Sequence, residues 1–189
     1  AIDANIVTAL THVNGTTDLI SFTAAANTTA DATALVALAA KVITADAAAF
    51  ANVTAITEAT ADIGTNGAAV VSALNIDGND VAVSFTDATA ISAASADAIA
   101  DATSGVVTAV VTAGTAAALN AALVDATVGQ PVVNAYTLTI SDTGSVKATD
   151  LTGLDGKTSV AVATIATDIT GSSAEVLAAY TANTNATIS

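Results

Sequence analysis

The chain lacks cysteine, methionine, tryptophan and arginine, and among its 189 residues there is one proline, Pro131. Without cysteine there is no disulfide framework and no thiolate metal site, which excludes a small scaffold held by bridges. Without methionine the chain as given does not open at an initiator and reads as a processed product or an excerpt. A lack of oxidisable sulfur suits a bacterial exported protein. Three lysines stand against 15 Asp and 2 Glu, a net charge of −14, which argues against nucleic acid as a partner, because phosphate contacts need Lys and Arg. No apolar run reaches the roughly 18 residues a membrane span requires, and no signal-peptide or lipidation pattern is visible. His12 is the single histidine; with no second imidazole to pair it, it reads as a surface or boundary residue.

What remains is Ala, Val, Thr, Asp and a pattern. Hydrophobic residues make up 53% but aromatics only 3%, so the core is thin and filled by small side chains, as in stacked narrow coils. Tyr136 to Tyr180 reads as strand, short helix, strand, short helix. Moved back 55 residues, Ile140 falls on Phe85, Asp142 on Asp87, Leu154 on Ile99 and Thr158-Ser159 on Thr103-Ser104. Moved back 57, Gly171-Ser172-Ser173-Ala174 falls on Gly114-Thr115-Ala116-Ala117. A register held over two blocks marks an internal repeat.

The expected organisation is a partial leading unit over 1–17, then units over 18–79, 80–135 and 136–189, the last ending in an open strand. Leu19 to Phe22, Val53 to Thr57, Val81 to Phe85, Gly105 to Val111 and Val160 to Ile165 read as strands, from their β-branched and aromatic runs. Thr29 to Lys41, Gly67 to Leu74, the stretch through Ala96 to Ile99 with Ser95 or Ser92 as cap, the stretch after Gly114-Thr115, Thr149 to Asp155 and a last stretch with Thr170 or Ser172 as cap read as helices. The expected fold class is α/β, a solenoid-like stack of short strand and helix coils with a parallel sheet; the alternatives are a compact α/β domain and a β-sandwich.

Catalytic constellations are missing. Gly153 to Thr158 ends in Gly-Lys-Thr, but two residues separate its glycines where a phosphate loop needs four. No Gly-x-Ser-x-Gly elbow accompanies the serines, and a carboxylate pair for glycoside cleavage would lack aromatic platforms. The chain therefore does not read as an enzyme. No cofactor is implied; calcium is the ion that oxygen-rich turns would suit, at Asp77, Asn79, Asp80, Asp87 and Asp142. The competing reading is that these side chains cap turns and helix starts.

The blocks DITGSSAEVLAAYTANTNATIS and TLTISDTGSVKATDLTGLDGKTSVAV resemble the Ala/Thr/Asp-rich repeats of very large bacterial exported surface proteins, cyanobacterial ones included. The resemblance implies an adhesin, surface-layer component or extracellular fibre, outside the cell or on its surface. Both ends read as partial units with exposed strand character, and an open strand edge invites another chain. The expectation is a homopolymer joined head to tail through Ile2, Ile6, Val7 and Leu10 at one end and Leu177, Tyr180 and Ile188 at the other. The alternative is a calcium-stabilised adhesin segment that binds cell-surface carbohydrate.

Overall fold

The computed structural model describes residues 1–14, 20–25, 28–42, 49–58, 68–77, 81–85, 88–124 and 133–182. Among them the chain is α/β, with seven helices and a five-stranded parallel sheet. Strands β1 (Thr28–Asp31), β2 (Val53–Glu58), β3 (Ala82–Phe85), β4 (Val107–Val110) and β5 (Ala135–Thr137) pair in chain order, each parallel to the next. Two shorter parallel pairs follow, β6 (Thr139–Ile140) with β8 (Ala163–Thr164) and β7 (Ser145–Lys147) with β9 (Asp168–Thr170). Parallel bridges at Ile2–Ala30 and Asn134–Thr158 extend the order toward both termini.

The helices are α1 (Ala4–Ala9), α2 (Ala32–Ala39), α3 (Ala68–Asp77), α4 (Ala93–Asp101), α5 (Ala116–Ala122), α6 (Ala148–Asp155) and α7 (Ser173–Ala182). Each packs against the next in sequence. At four of their starts the N-cap side chain satisfies an otherwise orphaned N–H group. Asp3 accepts from Asn5 N–H in α1, Asp31 from Ala34 N–H in α2, Ser92 from Ser95 N–H in α4 and Thr115 from Ala118 N–H in α5.

Because strand side chains alternate, the register sorts the sheet into rows. Ile2, Ala30, Ile56, Val83 and Val107 align rung by rung and are all buried. One residue further on, Asp31, Thr57, Ser84, Thr108 and Ala135 align on the other face, half-buried or exposed. Parallel sheets are usually covered on both faces; here Thr29, Thr54, Ala82, Thr108 and Thr137 are exposed.

Two buried threonines carry the 55-residue period into hydrogen bonding. Thr103 Oγ1 donates to Val81 O at 2.6 Å and accepts from Gly105 N–H at 3.0 Å. Thr158 Oγ1 donates to Tyr136 O at 2.7 Å and accepts from Val160 N–H at 3.1 Å. Each reaches 22 residues back to the preceding turn of chain and two residues forward.

Some expected elements differ. The β-sandwich is not what forms, since the main sheet is parallel and helices connect its strands. Thr29 to Asp31 belongs to β1 and not to the following helix, because Asp31 serves as the α2 cap and Thr28-Thr29 pair with β2. In the run Leu19 to Phe22, Ile20 bridges Val42, and Phe22 is placed by its ring, 5.6 Å from that of Phe50. Of Val160 to Ile165 only Ala163–Thr164 is strand. There Thr158 and Thr164 hydroxyls take the Val160 and Ala166 N–H groups into local turns. A compact α/β domain fits the described elements.

Candidate functional site

The feature that stands apart chemically is the outer flank of α7. The chain enters this helix through Gly171, whose φ of +153° disfavours any side chain. A reciprocal cap then starts it: Ser172 N–H donates to Glu175 Oε2 at 2.7 Å, and Glu175 N–H donates to Ser172 Oγ at 3.3 Å. The Ser172 N–H, and after it the Ser172 hydroxyl, hold the Glu175 carboxyl below its usual range.

One side of α7 turns inward, with Ala179 buried and Val176 half-buried. Glu175 and Ala178 face α6, where Thr149, Thr152 and Gly153 complete an open depression of about 260 Å³. At 100° per residue, Leu177 and Tyr180 fall on the opposite flank, 65% and 59% exposed. In α5 the positions 57 residues earlier behave differently. Leu123, the counterpart of Tyr180, is buried, and Asn120, the counterpart of Leu177, is half-buried beside Gly153 of α6.

The residues expected at the opposite end are used within the chain. Ile2 is 1% exposed, donates its N–H to Thr29 O and accepts from Asp31 N–H. It is a core residue, which corrects its assignment to a docking surface. Ile6, Val7 and Leu10 are half-buried against the core, so α1 shows Ala4, Asn5, Thr8 and Ala9 outward. Ile188 lies outside the described residues.

Of the calcium candidates, Asn79, Asp80 and Asp87 lie outside the described residues, as does the side chain of Asp77 at the end of α3. Asp142 Oδ2 accepts from Ala116 N–H at 2.7 Å, so it caps the start of α5 from the next turn of chain. Among the described residues no three His, Cys, Asp or Glu side chains come together as a metal site.

Other residues have roles that the sequence pattern did not disclose. Tyr136 is buried and its hydroxyl donates to Ala96 O at 3.1 Å, tying β5 to α4. Burial, and then the negative charges of Asp97 and Asp101, push its phenol upward. Lys41 Nζ donates to Val13 O at 2.7 Å and Lys157 Nζ to Leu123 O. Both ammonium groups thus meet carbonyls just beyond an earlier helix, where cations are favoured. Only a Lys placed shortly after each helix hinted at this.

No described helix is long and apolar enough to cross a membrane. Compared with protein-family models, with curated proteins and with solved structures, the chain matches none.

Proposed function

We propose that this chain is a structural subunit of an extracellular filament or surface layer, a solenoid-like stack of strand and helix coils that copies extend head to tail. The observation that carries the reading is the Leu177–Tyr180 flank of α7, apolar and exposed where the equivalent flank of α5 is packed against its successor. Three features agree with it. Strands β1 to β5 pair in chain order and every described strand pair is parallel, helices pack on their sequence neighbours, and the threonine arrangement recurs at the repeat spacing. A stack of this kind buries each coil against the next, so an exposed apolar helix flank is a surface that a further coil would cover.

With Ile2 committed to the core, the joint is revised. The small outward residues of α1 would receive the Leu177 and Tyr180 side chains. The open edge of the first rung would meet β9 in the same parallel sense. Such a contact uses different surfaces on the two copies and does not close, so it makes a polar polymer.

The test is sedimentation velocity with negative-stain microscopy on wild type and on the double variant Leu177→Asp, Tyr180→Asp. Wild type should form polymers and the variant should sediment as a monomer with unchanged circular dichroism. Polymers of equal length from both proteins would overturn the proposal. Single particles whose melting depends on calcium would favour the adhesin segment.

A further inference from the structure

We infer that the end-to-end joining of this chain is gated by ionic strength, closed at low salt and opened by charge screening. This rests on the self-assembly reading above and adds its regulation. Each copy carries a net charge of −14 and only three lysines. Two of these are turned into the chain, Lys41 onto Val13 O and Lys157 onto Leu123 O; Lys147, exposed on β7 in register with Thr170 of β9, is one cation set beside the carboxylates of the end coil.

The coils that would meet present carboxylates. The last coil shows Asp168 at the start of β9 and Glu175 on α7, both exposed, and Glu175 is held in its charged form by Ser172. The first coil carries Asp3, half-buried at the head of α1. Apolar contact through Leu177 and Tyr180 favours joining, and repulsion between like-charged copies opposes it. The repulsive term reaches about 30 Å at 10 mM salt but about 10 Å at 100 mM, whereas apolar burial does not depend on screening. Salt therefore decides between them.

The experiment is light scattering of the full chain at fixed pH over sodium chloride from about 10 mM to about 300 mM, with the variant Asp3→Asn, Asp168→Asn in parallel. Asn caps α1 as well as Asp does, so folding is preserved, and circular dichroism checks it. Wild type should be monomeric at the low end, with its polymer mass rising at least about tenfold across the series. The variant should begin to assemble at lower salt. Equal assembly at all salts, or the same onset in both proteins, would overturn the gate and leave the assembly reading standing. Assembly driven by calcium but not by sodium chloride at matched ionic strength would also overturn it, in favour of ion bridging. A chain that stays monomeric throughout would overturn both.

Discussion

Thr103 and Thr158 show how single side chains hold neighbouring turns of chain together. Each hydroxyl lies in the interior and pairs with one carbonyl and one N–H. Thr103→Val keeps the shape and removes both bonds, leaving the Val81 carbonyl and Gly105 N–H unpaired. A loss of about 1–3 kcal/mol is expected, read as a lower urea midpoint with an unchanged slope. A midpoint equal to wild type would show that these bonds are replaced by water. Gly105 belongs to the same close contact, since a Cβ there would run into the Val81 carbonyl.

Tyr136 sets a different dependence. Its folded pKa lies above the unfolded value of about 10, so below pH 10 the phenol is neutral in both states and its contribution is complete. As pH rises further the unfolded chain ionises first, and stability falls by up to about 1.4 kcal/mol per pH unit from this group. Urea midpoints between pH 8 and about pH 11 should decline more steeply for wild type than for Tyr136→Phe; parallel declines would assign the effect to other groups.

Elements were legible where pattern and chemistry agreed. The run at β4 is β-branched and was readable without help, as was the Thr115 cap, while Ser92 and Ser172 were each one of two candidates between which only the hydrogen bonds decide. Legibility failed where one residue type serves two ends. Threonine in Thr28-Thr29 extends a strand, while Thr164 ends one and Thr158 follows a single bridge with a turn, each through its own hydroxyl, and composition cannot tell these apart. The residues expected at a joint between copies divide in the same way. Leu177 and Tyr180 are exposed, but Ile2 and its neighbours are absorbed by contact with β1 and α2. An apolar residue near a terminus looks alike in sequence whether it faces a partner or its own chain.

For the molecule as a whole, the period has a direct consequence. If two turns of chain form one interchangeable 55-residue unit, excising residues 81–135 brings Tyr136 to the place of Val81, and Thr158 keeps its own acceptor. The shortened chain should retain its mixed helix and strand circular dichroism and melt cooperatively at a lower temperature, since fewer neighbour contacts remain. Collapse to an unfolded spectrum would instead favour the compact α/β domain, whose single core does not survive loss of its middle.

The lysine contacts bear on resistance to proteolysis. A protease that cuts after lysine or arginine finds three candidate bonds in 189 residues. At Lys41 and Lys157 the side chain it must draw into its pocket is held by a backbone carbonyl, and the bond after Lys147 leads straight into a helix. A chain so poor in cations is repelled by its own copies at low salt, and the same poverty leaves such enzymes little to hold.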